Sequence, residues 1–190
     1  MKTVFFDVDT QIDFMFPSGA LYVPGAETIL DRIAVLNHLG NPVISTMDAH
    51  AENDPEFKQW PHHCVAGTLG QRKPSITLLE RRVVVPNADV PVEVGGAGQI
   101  LLEKQTFDCF TNVKLAEILD RLAAERYVIY GVVTEICVRL ATLGLLKTGR
   151  RVELVTDAVC SLSEEAGAKM MEDFTAARGV LTTVAQIVGV

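Results

Sequence analysis

The sequence predicts an α/β fold in which a mainly parallel sheet is covered by helices on both faces. Short apolar runs typical of buried strands alternate along the chain with segments whose apolar residues recur at helical spacing. This alternation is typical of right-handed βαβ units, which build parallel sheets. In such sheets ligands bind beyond the carboxyl ends of the strands, so the residues that follow each strand are the candidates for a functional site.

The first part of the chain is predicted to run strand, helix, strand and long loop. Residues 2–8 are apolar and end at acidic residues, as a buried strand does. Pro24 opens a helical stretch with apolar residues on one face, and Gly40 ends it. Residues 42–47 form the next strand. Residues 49–79 have no sustained period, and three of the four histidines and the only tryptophan fall in this loop, which favours a functional loop.

The rest of the chain continues the alternation. The predicted strands are 81–86, 99–103, 127–133, 151–156 and 180–183. The predicted helices begin at Thr111 and cover 134–147 and 163–178. The helix over 134–147 is apolar nearly all round, which predicts that it is buried, and the last helix has two glutamates in its first turn and a glycine after its end.

Composition indicates one globular domain over residues 1–190, with 48% apolar and 22% charged residues. The net charge of −7 argues against nucleic acid or an anionic membrane as a partner. No apolar run is long enough to span a bilayer and the N-terminus enters a strand directly, so we expect a cytoplasmic protein. The four cysteines form no CxxC pair, and reduced thiols are expected.

Charged and nucleophilic residues follow four of the predicted strands and are expected to gather at one edge of the sheet. Asp9, Asp48, Lys104 and Cys137 each come after a different strand. We expect Thr134 to cap the next helix, so that Cys137 is its third residue, where the helix dipole lowers the pKa of a thiol and free N–H groups can hold an oxyanion. The alternative is that Cys137 is a packed core residue. Next to it, Asp9 can carry the thiol proton and Lys104 can favour both anions.

A second set of residues predicts a metal site. Asp48 and His50 are two positions apart on an extended segment and point to the same side. With His63 they form a mixed nitrogen and oxygen set suited to Zn²⁺, Fe²⁺ or Mn²⁺, and Glu56 could be a fourth ligand. The alternative is a set of loop histidines that contact solvent or cap backbone groups.

Several blocks of the sequence, in order along nearly the whole chain, resemble the nicotinamidases within the isochorismatase-like cysteine hydrolases. The blocks are 9–14 (DTQIDF), 19–21 (GAL), 23–25 (VPG), 46–50 (TMDAH), 60–68 (WPHHCVAGT), 103–104 (EK) followed by Phe107, and 131–138 (GVVTEICV). The resemblance implies a three-layer Rossmann-like domain and hydrolysis of nicotinamide to nicotinate and ammonia through a thioester. It also implies that a divalent metal, with zinc expected and iron or manganese as alternatives, anchors the ring nitrogen, and that the protein is a homo-oligomer.

The resemblance also assigns roles to residues. It implies a triad of Asp9, Lys104 and Cys137, and a metal held by Asp48, His50 and His63. It implies a cis peptide between Val132 and Val133, which aims the N–H groups of Val133 and Cys137 at the oxyanion. Phe14 and Trp60 would flank the substrate ring, with Val132 also in the substrate pocket.

The chain departs from the nicotinamidase pattern at three places. Residues 70–74 read GQRKP where nicotinamidases usually have a Gly-Ala…His-Pro stretch, Glu56 stands where many have a histidine, and residues 107–110 read FDCF where an aromatic-Ser-Ala-Phe run is common. Another small amide, a carbamoyl compound or a ureido compound is therefore an alternative substrate. A catalytically silent binding protein of this fold and a zinc hydrolase in which metal-bound water attacks are alternatives as well.

Overall fold

The computed structural model describes residues 1–39 and 42–189 and contains a three-layer α/β structure. Its described part has seven strands, all parallel, in the order β3-β4-β2-β1-β5-β6-β7. The strands are β1 (Thr3–Val8), β2 (Val43–Asp48), β3 (Arg82–Val85), β4 (Gln99–Lys104), β5 (Arg126–Val132), β6 (Arg151–Cys160) and β7 (Val180–Thr182). The predicted fold class is confirmed.

Helices cover both faces of this sheet. They are α1 (Ile12–Met15), α2 (Leu30–Asn37), α3 (Leu115–Leu122), α4 (Arg139–Leu146), α5 (Glu164–Ala176) and α6 (Val184–Val188). Residues of α3, α4 and α5 pack with Val4 and Phe6 of β1 in one core, and residues of α1, α2 and α6 pack with Phe5 in the other. Successive residues of a strand point to opposite faces, so β1 is buried on both sides.

The structure differs from the predicted elements in several places. The helix predicted from Pro24 begins as a 3₁₀ turn, Ala26–Ile29, and continues as α2 from Leu30, and the helix predicted from Thr111 begins at Leu115. Helices α1 and α6 were not predicted, because four and five residues are too few to show a helical period. β6 extends to Cys160 rather than 156, since its last residues pair with β5 after a register shift. The segment 134–147 begins as a π-helical turn, Thr134–Val138, and is only partly buried, with Arg139 exposed. The predicted stop at Gly40 lies outside the described residues.

Within the described part of the chain, none of the helices has the length and apolar character that crossing a membrane requires.

Candidate active site

The carboxyl ends of the four central strands bring the candidate residues together. Asp48 and Lys104 are register partners at the ends of β2 and β4. Asp9 follows β1, whose last residue pairs with Gly131 in β5, and Cys137 lies in the turn after β5. Residues far apart in sequence thus meet at one edge because these strands are neighbours in the sheet.

Lys104 lies between two carboxylates and is completely buried. Its Nζ is 2.8 Å from Asp9 Oδ2 and donates a hydrogen bond to Asp48 Oδ1. Burial alone would lower the pKa of Lys104, but the charges of Asp48 and Asp9 hold it well above its usual value. Lys104 is therefore a fixed ammonium.

The Asp9 carboxylate is held from its other side by Thr46, whose hydroxyl donates to Asp9 Oδ1 at 2.6 Å. Burial raises the pKa of Asp9, although Lys104 acts in the opposite direction. The backbone of Asp9 is left-handed, with φ of +50°, which is uncommon for a residue that has a Cβ. The result is a buried carboxylate that is a stronger base than an exposed aspartate.

Two expectations about Cys137 are wrong. The N-cap is Val133 rather than Thr134, because the first turn is π-helical and the N–H of Val138 reaches back to the carbonyl of Val133 at 3.1 Å. Cys137 is accordingly the fourth residue of the turn instead of the third. Burial raises the pKa of the Cys137 thiol well above its usual value, and this outweighs the opposing charge of Lys104. The resting group is a thiol, so attack by sulfur requires a base.

The peptide bond between Val132 and Val133 is cis, as the resemblance implied. Val132, Val133 and Cys137 all border the same pocket. The residues of the cis bond and the thiol therefore border the same space.

Asp48, His50 and His63 form a buried cluster in which the ligand atoms of the three side chains lie within 4.8 Å of one another. His50 Nε2 is 3.8 Å and His63 Nε2 is 3.9 Å from Asp48 Oδ2. Ligands of one ion with bonds of about 2.0–2.2 Å lie roughly 3–4 Å apart, so these spacings fit a first-row divalent metal. His50 Nε2 is buried without a hydrogen-bond partner, as expected for an atom that is a ligand.

The other ring nitrogen of each histidine is already engaged. His50 Nδ1 is 3.0 Å from Asp54 Oδ2, and His63 Nδ1 is 2.7 Å from the carbonyl of Pro61. Such outer contacts direct Nε2 of a histidine toward a metal. Burial works to lower the pKa of His50, but Asp48 and Asp54 raise it to about 8.

Glu56 lies beside this cluster, with Oε1 3.8 Å from His63 Nε2. Oε1 is buried and has no hydrogen-bond partner. Burial raises the pKa of Glu56. This carboxylate is therefore in reach of an ion held by the histidines.

A pocket of about 420 Å³, measured out to its open mouth, connects the thiol to the metal cluster. Its lining is Asp9, Phe14, Leu21, Val23, Asp48, Trp60, His63, Phe107, Val132, Val133, Ile136, Cys137 and Leu162. Phe14, Trp60 and Val132 were predicted to lie there. Of residues 107–110, Phe107 lines the pocket and meets the Trp60 ring edge-on at 6.2 Å, whereas Cys109 lies in the core.

The sequence did not indicate two residues that hold the Asp48, His50 and His63 cluster in place. Gln11 is buried and holds the backbone of Asp48 at both groups: it accepts from the N–H at 2.7 Å and donates to the carbonyl at 2.9 Å. Phe57 packs against the rings of His50 and His63, with centroids 5.3 and 5.6 Å away. Gln11 belongs to the block 9–14 that resembles nicotinamidases, but its neighbours in sequence do not indicate this role. Its partner Asp48 comes close to it only because β1 pairs with β2.

The remaining histidines and cysteines have other surroundings. His62 is exposed and stacks on Phe57. His38 Nδ1 contacts the carbonyl of Ala34 at the end of α2. Cys64 packs in the core, and all four cysteines are free thiols.

Comparison with known proteins identifies the family and similar folds. The model of the isochorismatase domain matches residues 3–186. An isochorismatase-like hydrolase from Alkaliphilus metalliredigens is 23% identical, with a TM-score of 0.80 and coverage of 100% of this chain and 98% of that chain. The pyrazinamidase of Pyrococcus horikoshii, solved in complex with zinc, is 27% identical, with a TM-score of 0.77 and coverage of 96% and 99%.

A third similar structure is the nicotinamidase PncA from Bacillus subtilis, at 22% identity and a TM-score of 0.81, covering 96% of this chain and 99% of that chain. No curated protein is significantly similar in sequence. The match of the domain model runs over nearly all of the sequence, and the chain therefore belongs to the isochorismatase family of hydrolases.

Proposed function

We propose that this protein is a metal-containing cysteine amidohydrolase that converts nicotinamide and water to nicotinate and ammonia. One observation carries the proposal: a thiol, a carboxylate and an ammonium meet at a pocket that also borders a cluster of one aspartate and two histidines. The likeness to a zinc-bound pyrazinamidase at 27% identity supports the same reaction class.

In the first half of the reaction, Asp9 takes the proton of the Cys137 thiol and sulfur attacks the amide carbonyl. The N–H groups of Val133 and Cys137 hold the resulting oxyanion, a contribution of about 3–4 kcal/mol per donor in other enzymes. Asp9 then gives its proton to the nitrogen, the C–N bond breaks, ammonia leaves and a thioester on Cys137 remains. Lys104 stays an ammonium throughout and stabilises the anions on either side of each proton transfer.

In the second half, Asp9 takes a proton from water as the water oxygen attacks the thioester carbonyl. The C–S bond breaks, the proton on Asp9 returns to sulfur, and the nicotinic acid that forms loses its remaining proton to solvent to give nicotinate. Burial raises the pKa of Asp9, and this makes its carboxylate a better acceptor for these protons than an exposed aspartate.

Asp48, His50 and His63 would hold the metal, with Glu56 in reach. When bound, a divalent ion supplies a Lewis acid to which the ring nitrogen of the substrate can coordinate.

The charge of the pocket supports a neutral aromatic amide. None of the residues that line it is a lysine or arginine, and Lys104 lies behind Asp9 and Asp48, which neutralise it. A dianionic substrate such as isochorismate would therefore meet two carboxylates and no lysine or arginine side chain in the pocket. Phe14, Trp60 and Phe107 offer flat apolar surfaces that suit an aromatic ring.

Ammonia release from nicotinamide tests the proposal in wild-type protein and in Cys137→Ala, His50→Ala and Cys160→Ala. We expect loss of turnover in Cys137→Ala and a raised KM in His50→Ala. Cys160→Ala, which removes a half-buried thiol outside the pocket, serves as the control and should retain activity.

The other outcomes identify the alternatives. Turnover by Cys137→Ala would contradict the mechanism and select attack by metal-bound water. A wild type that is inert on nicotinamide but is alkylated at Cys137 by iodoacetamide would point to another small amide. No turnover and no thiol reactivity would indicate a silent binding protein.

A further inference from the structure

A second buried polar cluster lies next to the Asp9 turn, on the face of β1 that packs against α2, and the proposed mechanism does not use it. Its side chains are all buried, although two of them are charged. The members are Asp7, Thr10, Asn37, Ser45, Lys73 and Tyr130. A buried ion pair costs desolvation energy and is weak evidence for a role in stability, so another role has to be considered.

Asp7 is the centre of the cluster. Its Oδ1 accepts the hydroxyl of Thr10 at 2.6 Å, and its Oδ2 lies 2.9 Å from Ser45 Oγ, 3.2 Å from Asn37 Nδ2 and 3.3 Å from Lys73 Nζ. Lys73 also donates to Thr10 Oγ1 at 2.9 Å. The Thr10 hydroxyl therefore receives one hydrogen bond and donates another, and both partners are charged.

These contacts enclose the residue that presents the catalytic carboxylate. Residues two apart in a strand point to the same face, so a regular strand would direct Asp9 to the face of Asp7. The left-handed backbone of Asp9 instead lets its carboxylate reach Lys104 and Thr46. The hydrogen bond from Thr10 to Asp7 spans this turn, because it joins the residue after Asp9 to a residue of β1 before it.

Lys73 comes from the segment 70–74, where the sequence departs from the usual nicotinamidase pattern. Two backbone hydrogen bonds dock this segment on the residues after Asp9: the N–H of Ile12 donates to the carbonyl of Arg72 at 2.8 Å, and that of Asp13 donates to the carbonyl of Gly70 at 3.1 Å. These two backbone hydrogen bonds therefore hold the segment in a position from which the Lys73 side chain reaches Asp7 and Thr10.

We propose that Lys73, Thr10 and Asp7 are positioning residues that hold the Asp9 turn in the conformation that proton transfer with Cys137 requires. Turnover as a readout rests on the proposed amidase function, whereas the reactivity of the thiol does not. Removing the Thr10 hydroxyl or the Lys73 charge lets Asp9 move away from the sulfur, which slows the chemical step and leaves the substrate pocket and the metal cluster in place.

The test compares Thr10→Val, which keeps the shape of the side chain, with Thr10→Ser, which keeps the hydroxyl, and with Lys73→Met. Tyr130→Phe is the matched control, because it removes a buried hydroxyl from the same cluster, one that donates to Asn37 at 2.5 Å and does not touch the turn. For each variant we would measure kcat and KM for nicotinamide, the affinity for zinc, and the alkylation rate of Cys137 by iodoacetamide, with circular dichroism as a check of folding.

We expect Thr10→Val to lower kcat roughly tenfold or more, since general acid–base catalysis contributes about 10²–10⁴-fold. KM and zinc affinity should stay within about twofold of wild type, because the groups that bind substrate and metal are unchanged. Alkylation should slow several-fold as less thiolate forms. Thr10→Ser should restore these rates, and Tyr130→Phe should match wild type.

A folded Thr10→Val protein with wild-type kcat and wild-type alkylation rate would overturn the inference and leave the cluster as packing alone. Equal losses in Tyr130→Phe would overturn it as well, because they would reflect general loosening. If the wild type does not hydrolyse nicotinamide, the amidase proposal fails and the inference is judged by alkylation: slower reaction in Thr10→Val supports it, and an unchanged rate contradicts it. Thr10→Val decides the question if Lys73→Met does not fold.

Discussion

At the scale of single residues, Lys104 has two functions that follow from one position. It compensates the charge of both Asp9 and Asp48, and so it links the Asp9 carboxylate to the cluster of Asp48, His50 and His63. Without it, two buried carboxylates would lie side by side with no opposite charge between them. We therefore expect the protein to be more sensitive to loss of this lysine than to loss of a surface lysine.

Lys104→Met should lower the free energy of unfolding by about 3–5 kcal/mol, because removing one partner of a buried ion pair leaves uncompensated charge. Urea unfolding followed by circular dichroism would measure the change in metal-free protein. Lys114→Met is the matched control: Lys114 pairs with the exposed Asp89 at 2.7 Å, and loss of a pair that is screened by water should change stability little. Equal stability of the two variants would contradict this account.

The thiol shows what residue patterns cannot predict. The sequence predicts that Cys137 follows a strand and lies near Asp9 and Lys104. It does not predict the direction of the pKa shift of this thiol, because that depends on how completely the folded chain buries the sulfur rather than on its place in the turn. The same limit applies to Lys73, whose partner Asp7 lies on another segment.

At the scale of elements, the long loop after β2 is fastened to α1 by the carboxylate of Asp13. Asp13 Oδ2 accepts the N–H of Cys64 at 2.7 Å and Oδ1 accepts the N–H of Ala20 at 3.0 Å. Cys64 directly follows the metal-cluster residue His63, so Asp13 determines where that histidine lies. Gly70 passes so close to this carboxylate that a Cβ there would lie 2.1 Å from Asp13 Oδ2.

Gly70→Ala should therefore displace Asp13, weaken zinc binding at least several-fold and lower the free energy of unfolding by about 1–3 kcal/mol, the usual cost of overpacking. Zinc titration and thermal unfolding would measure the two effects. Gly95→Ala is the control, because a Cβ at Gly95 meets no atom within 4 Å and the change should be neutral or stabilising by up to about 1 kcal/mol. Unaltered zinc affinity in Gly70→Ala would show that the loop is held by other contacts.

Most of the helices and strands could be predicted from the spacing of apolar residues in the sequence. All seven strands and the four longer helices were predicted, since their apolar periods are long enough to recognise, although α2 begins at Leu30 rather than Pro24. The start of the helix after β5 was not predicted, because Thr134 has the chemistry of an N-cap, yet its hydroxyl finds no partner in the π-helical turn. A side chain that can cap a helix does so only where the backbone turns to suit it.

At the scale of the whole molecule, the site lies where the strand order reverses. From β1 the chain builds β2, β4 and β3 on one side and then crosses to β5, β6 and β7 on the other. The pocket opens beyond the ends of the central strands, at the crevice that this reversal creates. The sheet edge was predictable from alternation alone, whereas the order of strands that brings these ends together was not.

The metal cluster joins the end of β2 to the long loop, so metal removal should lower the stability of the whole chain. We expect a chelator to lower Tm, since a ligand at 100 times its Kd adds about 2.7 kcal/mol to the folded state. Differential scanning calorimetry with and without chelator, and after zinc is restored, would measure it. His63→Ala should show little response to chelator, and an identical fall in Tm for that variant would place the metal elsewhere.

Because the chain crosses the middle of the sheet before β5, neither the part of the sequence before β5 nor the part from β5 onward contains a complete site. A fragment that ends before β5 keeps Asp9, Asp48 and Lys104 but lacks the sulfur, and the complementary fragment keeps the sulfur alone. Neither fragment can hydrolyse an amide by the proposed mechanism. Mixing the two fragments should restore activity only if β1 pairs with β5 again. Recovered turnover from such a split protein would therefore report that its central strands have reassembled in the native order.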